Sequence, residues 1–203
     1  MTRRHFLAAL PLPLLPFDAA PPNPPGLTIL PEDHLLSQES AAAYAALLAP
    51  HSPPRRAVLL LPGAKRLSLA RALAIRRALE AGSSVLVECG LAFSTPSEIE
   101  EQRRLLHRAF DIQLESPITA TDPHRPYIAF ASGNLVRPFG LTFSVSSKGG
   151  NPIAYFGETP VALKTLVGKG SLVFLGAMLG PHIQAADSDA RLAAIGLLSN
   201  LSS

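Results

Sequence analysis

The sequence predicts an α/β domain with a mostly parallel sheet and helices on both faces, chiefly because of residues 57–88. Residues 57–61 and 84–88 are apolar runs, and residues 67–81 between them are rich in Ala, Leu and Arg, with no Pro or Gly before Gly82. Such runs are typical of strands buried on both faces, and the middle segment is typical of a helix. Strand, helix and strand in this order predict two parallel strands joined by a right-handed crossover.

Residues 118–170 show a different pattern, in which short apolar runs alternate with Gly, Pro, Ser and Asn. Turn residues at 148–151 and 168–170 predict antiparallel hairpins. We therefore expect a β-hairpin insertion around residues 126–167. A buried strand over residues 171–176 should follow, and then a last helix over residues 187–201 that Asp187 or Asp189 caps.

Composition limits the size and class of the protein. The chain has 203 residues, of which 47% are hydrophobic and 16% charged, so it is long enough for one well-buried domain and too short for two. The single cysteine excludes an intrachain disulfide, and no Cys and His residues have zinc-ligand spacing, so we expect no metal and no cofactor. The net charge of +3 comes without a basic stripe interleaved with aromatic residues, so we expect no nucleic-acid partner.

Residues 1–20 have the order of an export signal, with a basic start, a short apolar middle and two alanines at the end. About a dozen apolar residues are too few for a stable membrane span, which needs roughly 20. Arg3 and Arg4, followed by Phe6 and Leu7, resemble the bacterial twin-arginine signal. The resemblance implies binding to the twin-arginine export machinery and a periplasmic or other extracytoplasmic location. An ordinary secretory signal or an uncleaved basic N-terminus is the alternative.

A proline-rich segment separates this signal from the rest of the chain. Residues 21–26 predict a stiff, extended spacer, followed by a single domain over residues 27–203. Residues 27–30 are the candidate first strand. Ser37 is the candidate N-cap of a helix that Pro50 would end.

A strong helix start lies at Thr95, where proline follows at the first helical position and Glu98 completes a capping box. Its apolar residues, among them Leu106 and Phe110, share one face. The opposite face is charged and carries Glu100, Glu101, Arg104 and Arg108. We interpret that face as exposed to solvent and without a ligand.

Three motifs resemble the class I glutamine amidotransferase-like group. They are a strand ending in Leu61-Pro62-Gly63, a helix leading into residues 80–87, and Gly168-Lys169-Gly170 leading into a strand that ends at Gly176. The resemblance covers most of residues 56–201 and is to bacterial non-catalytic members of the group. It implies a three-layer, flavodoxin-like fold with any ligand at the carboxyl ends of the parallel strands.

Catalytic members of that group use a cysteine on a sharp turn and a later histidine, and the resemblance implies Cys89 and His182 as their counterparts. The surrounding residues depart from the pattern. Val87 and Leu91 replace the glycines of the sharp turn, and Gln184 replaces the glutamate that would orient the histidine. The charge of Glu88, next to Cys89, also disfavours a thiolate.

The loops after the predicted parallel strands hold the candidate ligand-binding residues Lys65, Glu88, Gly90 and Gly180. Because such loops converge at one edge of the sheet, we expect them to face a common crevice that suits a small polar ligand. The sequence therefore favours an exported, non-catalytic binding or accessory module for such a ligand or for an envelope partner. The alternative is a cysteine-dependent hydrolase or amidase that acts on C–N bonds through Cys89 and His182.

The export hypothesis is tested by replacing Arg3 and Arg4 with lysine. The replacement keeps the charge but removes both guanidinium groups, which the twin-arginine receptor is expected to read. We expect the precursor to accumulate in the cytoplasm, as measured by fractionation and immunoblotting. Normal export of the double-lysine protein would exclude the twin-arginine route.

Overall fold

The computed structural model describes residues 26–50, 57–64, 66–89, 95–118 and 127–202. The signal, most of the spacer, Lys65 and Gly90 lie outside these ranges. The strands are β1 (Leu27–Ile29), β2 (Val58–Leu61), β3 (Ser84–Glu88), β4 (Ile112–Ile118), β5 (Ile128–Phe130), β6 (Leu135–Val136), β7 (Thr142–Ser147), β8 (Asn151–Phe156), β9 (Thr159–Val167) and β10 (Gly170–Leu175). The helices are α1 (Leu35–Leu48), α2 (Leu69–Glu80), α3 (Pro96–Phe110), α4 (Gly180–Gln184) and α5 (Ser188–Ser202).

The main sheet is mixed and has eight strands in the order β1-β2-β3-β10-β9-β8-β5-β6. The first four of these are parallel to one another, and β9, β8, β5 and β6 continue the sheet with antiparallel pairings. A second sheet consists of β4 and β7. The prediction of an α/β fold is confirmed, as is the antiparallel character of the segment that contains β5 to β9.

Successive side chains along the central strands point to opposite faces of the sheet, so the hydrophobic core has one part on each face. In β3, Leu86 belongs to one hydrophobic cluster, whereas Val85 and Val87 belong to the other. The first cluster contains buried residues of α1 and α5, and the second contains those of α2 and α3 together with β4 and β7. Helices therefore cover both faces of the sheet, because strands buried on both sides need apolar partners on each.

The crossover connections β1–α1–β2 and β2–α2–β3 differ in handedness. The strand order β1-β2-β3 advances in one direction, yet α1 packs on one face of the sheet and α2 on the other. The two crossovers consequently have opposite hands. One of them has the left hand, which parallel strand units rarely adopt.

Local capping explains where α2 and α3 begin and end. The side chain of Ser68 accepts a hydrogen bond from the N–H of Arg71 at the start of α2, and Gly82 after its end has a φ of +98°, which favours glycine. The predicted capping box of α3 is present between Thr95 and Glu98. Both helix predictions are confirmed.

Helix α1 begins earlier than the sequence predicts. His34 is its N-cap, through an imidazole nitrogen that accepts a hydrogen bond from the N–H of Ser37. The hydroxyl of Ser37 instead donates to the carbonyl of Pro62 at 2.5 Å and accepts from the N–H of Glu32 at 2.9 Å. Ser37 thus ties α1 to the loops after β1 and β2, and the capping prediction for it is wrong.

Two further differences concern the strands. The turn over residues 148–151 does not form a hairpin, because β7 pairs with β4 and β8 pairs with β9 and β5. Strand β4 was not predicted from the sequence, since Glu115, Ser116 and Pro117 interrupt its apolar pattern. The predicted turn at 168–170 does join an antiparallel pair, β9 and β10, and Asp187 caps α5 through the N–H of Ala190 at 2.9 Å.

We expect Val85→Asp to destabilise the domain by about 3–5 kcal/mol, because it places an unpaired carboxylate in a fully buried strand. The free energy of unfolding in urea measures this cost. Leu166→Asp is the control, since Leu166 also lies in a strand but is 78% exposed, and its cost should be within about 1 kcal/mol. Equal effects of the two substitutions would contradict the burial of β3.

Candidate functional site

The carboxyl ends of β1, β2, β3 and β10 meet at one edge of the main sheet, because these strands are parallel. Backbone hydrogen bonds hold the loops that follow them together. The N–H of Ala64 donates to the carbonyl of Glu88 at 2.6 Å, and the N–H of Cys89 donates to the carbonyl of Leu175 at 2.8 Å. The structure thus brings together the loops after β2, β3 and β10.

Glu88 lies at the centre of this edge as the last residue of β3, and it is 0% exposed. Its Oε1 accepts a short hydrogen bond from the hydroxyl of Tyr44 in α1 and a second one, at 3.2 Å, from the N–H of Leu179. Its Oε2 has no hydrogen-bond partner among the described residues. One carboxyl group therefore connects β3 to α1 and to the chain that enters α4.

Burial controls the protonation of this carboxyl group. Loss of water raises the pKa of Glu88 to about 7, although the hydrogen bond from Tyr44 and the N–H groups of Leu179, Gly180 and Gly63 act in the opposite direction. The pKa of Tyr44 is raised well above its usual value by burial and by the nearby carboxylate. At neutral pH the two side chains can therefore share a tight hydrogen bond with the Glu88 carboxyl partly protonated.

The backbone around Glu88 is closely packed. A Cβ on Gly180 would lie 2.2 Å from the hydroxyl oxygen of Ser40, and a Cβ on Gly63, whose φ is +59°, would lie 2.7 Å from the terminal methyl of Met178. The Ser40 hydroxyl is buried and has no hydrogen-bond partner among the described residues. Glycine at positions 63 and 180 allows α1 and α4 to close over the carboxyl group, so this arrangement leaves Glu88 without contact with solvent.

Cys89 follows Glu88 and is 5% exposed. Burial, and to a smaller extent the charge of Glu32, raises the pKa of its thiol to about 12. The thiolate is the nucleophilic form of cysteine, and burial therefore disfavours that form in the arrangement described.

His182 lies in the short helix α4. Its ring makes an edge contact with Phe139, with 6.1 Å between ring centroids, and its Nε2 is buried without a hydrogen-bond partner among the described residues. Both His182 and Cys89 are described by the structure, and no hydrogen bond joins the imidazole of the one to the thiol of the other. The two candidate catalytic residues thus come after the adjacent strands β3 and β10, but they are not hydrogen-bonded as a nucleophile and its base.

The sequence analysis missed two features of this edge. Tyr44, the partner of Glu88, is the one large polar side chain in the alanine-rich stretch of α1, and that contrast was the available signal. Glu32 and His34 follow β1, and their side chains approach to 3.4 Å. Among the described residues, no group of three or more His, Cys, Asp or Glu side chains is placed to hold a metal ion.

Comparisons with known proteins identify the fold but no family. No protein-family description matches the chain, and no curated protein sequence is similar to it. The exo-β-1,4-mannosidase from Opitutaceae bacterium strain TAV5 is similar in structure, with a TM-score of 0.59 and 15% identity over 79% of this chain. For the β-galactosidase from Rahnella sp. R3 the TM-score is 0.53, with 16% identity over 83% of this chain.

The chain spans only 31% and 28% of the lengths of these two enzymes. A cytoplasmic protein from Salmonella typhimurium LT2 matches over more of its own length, with a TM-score of 0.53, 9% identity and coverage of 73% of each chain. At such low identity these similarities show the fold alone. Among the described residues, no helix has the length and apolar character required to cross a membrane.

The pKa of Glu88 makes stability depend on pH. The folded state binds this proton more tightly than the unfolded chain, whose carboxyl has a pKa near 4.5, so stability should fall as pH rises from 4.5 to about 7. The loss should reach about 3 kcal/mol, measured by urea unfolding at several pH values. In Glu88→Gln, which keeps an acceptor for Tyr44 but cannot ionise, this fall should disappear. Glu101→Gln, at an exposed side chain, should leave it unchanged.

Proposed function

We propose that this chain is an exported, non-catalytic accessory domain that acts by binding a partner in the cell envelope. The observation that carries the proposal is the filling of the carboxyl edge of the parallel strands, where α/β proteins ordinarily hold their ligands. In this protein Tyr44, Ser40 and the chain around Gly180 occupy that edge and enclose Glu88. The carboxyl group of Glu88, which could have formed part of a substrate site, instead connects the sheet to α1 and to the start of α4.

The alternative function, a cysteine-dependent hydrolase, needs an ionised and accessible thiol. Cys89 is buried, its pKa is raised to about 12, and no hydrogen bond connects it to His182. Generation of a thiolate at neutral pH would therefore need a rearrangement that exposes the end of β3. These features favour the accessory function over the enzymatic one.

A small polar ligand bound near Glu88 is the second candidate for what such a binding module would bind. Such a ligand could hydrogen bond to Glu88 only by displacing Tyr44 or by using Oε2, which is free of protein partners among the described residues. Displacing Tyr44 would leave its buried hydroxyl unpaired, which costs about 1–3 kcal/mol. A partner protein that binds the outer surface requires no such displacement. We therefore favour a partner protein over a small polar ligand.

We also propose that the domain is amidotransferase-like and has a flavodoxin-like, three-layer fold. Helices on both faces of the sheet and the hairpin that leads into β10 support both assignments. The order of the parallel strands differs from the flavodoxin order 2-1-3-4-5, because it advances from β1 to β10 without a reversal. Export by the twin-arginine route rests on Arg3, Arg4, Phe6 and Leu7 alone.

Thiol labelling distinguishes the two functions, because Cys89 is the single cysteine of the chain. We expect iodoacetamide at neutral pH to label the native protein at least about 100-fold more slowly than the same chain unfolded in guanidinium chloride, as measured by intact mass. The unfolded chain serves as the control for intrinsic reactivity. Native labelling faster than that of the unfolded chain would favour the hydrolase.

A further inference from the structure

A groove lies between the start of α2 and the charged face of α3, on the face of the sheet opposite α1 and α5. It has a volume of about 690 Å³. Three arginines line it, Arg66, Arg104 and Arg108, together with Leu69 and Leu105. We call it the arginine groove.

The two walls of the arginine groove are fixed relative to each other. Gln102 of α3 is 3% exposed, and its side-chain amide makes two hydrogen bonds to the backbone of Leu67, one to the N–H and one to the carbonyl, each at 3.1 Å. Because both polar ends of a buried amide are satisfied, this contact holds the segment before α2 firmly against α3. The groove is therefore formed before any partner binds, which lowers the entropy cost of binding.

The charges around the groove are unbalanced. Arg66 pairs with Glu101, the single carboxylate among the lining residues. The Nε of Arg104 donates to a carbonyl of its own helix at 3.3 Å, and within the described part of the chain neither Arg104 nor Arg108 lies within salt-bridge distance of a carboxylate. Both side chains are exposed, so their guanidinium groups are available for carboxylates of a partner.

The groove also offers apolar surface. Leu69 is 59% exposed although it lies beside buried Leu67, and Leu105 is half-buried. Leucine side chains between guanidinium groups suit a segment that carries both apolar and acidic side chains. Helix α2 has no acidic residue in its first turn, so a partner carboxylate there would also meet the positive end of the helix dipole.

We propose that the arginine groove is the docking site for an acidic, leucine-containing segment of a partner protein. The inference rests on the proposed function and specifies the chemistry of the partner. Nucleic acid fits less well, because among the described residues no aromatic side chain lines the groove to stack on bases. A small free anion would leave the leucine surface unused.

The test uses a short fluorescein-labelled peptide of alternating glutamate and leucine, with binding to the full chain followed by fluorescence anisotropy. We expect saturable binding below about 1 mM. In the double variant Arg104→Glu and Arg108→Glu the Kd should rise at least about tenfold, because attraction becomes repulsion. Raising NaCl from about 0.05 M to about 0.5 M should weaken binding to the unmodified protein as well.

The matched control is the double variant Lys169→Glu and Arg191→Glu, which makes the same change in net charge away from the groove, at exposed positions in the β9–β10 turn and in α5. It should bind the peptide with a Kd within about twofold of the unmodified protein. Leu69→Ser tests the apolar part and should raise the Kd about threefold or more, since the exposed leucine loses its contact. Far-UV circular dichroism checks that every variant is folded.

Several results would overturn the proposal. They are absence of binding up to about 1 mM, equal loss in both double variants, equal binding of a peptide in which serine replaces leucine, and tighter binding of a single-stranded oligonucleotide or of inorganic phosphate at the same site. If any of these occurred while Cys89 stayed unlabelled in the native protein, the docking site would be wrong and the non-catalytic function would still stand. Fast labelling of Cys89 would instead contradict the proposed function itself.

Discussion

The arrangement of helices over the carboxyl edge depends on the buried carboxyl group of Glu88. Removing a carboxylate from water is costly unless hydrogen bonds replace the lost solvent. In this protein the replacements come from two separate elements, the hydroxyl of Tyr44 in α1 and the N–H of Leu179 before α4. The same group therefore fixes where both helices sit. Gly180 completes the packing, because a side chain there would collide with Ser40, and the φ of +59° at Gly63 favours glycine at that position.

This use of Glu88 bears directly on what the domain can do. A polar group at the end of a parallel strand is often the start of a substrate site. The carboxyl group of Glu88 is instead enclosed by its own protein, and its Oε1 already accepts hydrogen bonds from Tyr44 and Leu179. The exposed arginine groove lies instead on the other face, where Gln102 holds the segment before α2 against α3. The charged groove and the enclosed carboxyl edge are the two features on which the proposed partner-binding function rests.

The sequence predicted individual helices and strands better than the pairing of strands and the contacts between distant residues. The Thr95 cap, the glycine after α2 at position 82 and the apolar run of β3 could be predicted because each depends on a few neighbouring residues. The pairing of β7 with β4 and the contact of Tyr44 with Glu88 depend on residues far apart in the chain, which no local pattern encodes. The sequence indicates that one face of α3 is charged and exposed, but the position of that face opposite the start of α2 is a property of packing between helices.

Strand β10 belongs to both halves of the main sheet, parallel to β3 on one side and antiparallel to β9 on the other. Its pairing with β9 closes a turn of a few residues, whereas the contact between Ser84 and Ser171 joins residues 87 positions apart. Loop closure over such a separation is entropically expensive and slow, so β10 can pair with β9 soon after both are made, whereas its pairing with β3 comes later. During synthesis, β3 is completed long before its neighbour exists. The newly made first half therefore carries an unpaired, apolar strand edge until β10, which begins at Gly170 of the 203 residues, has been made.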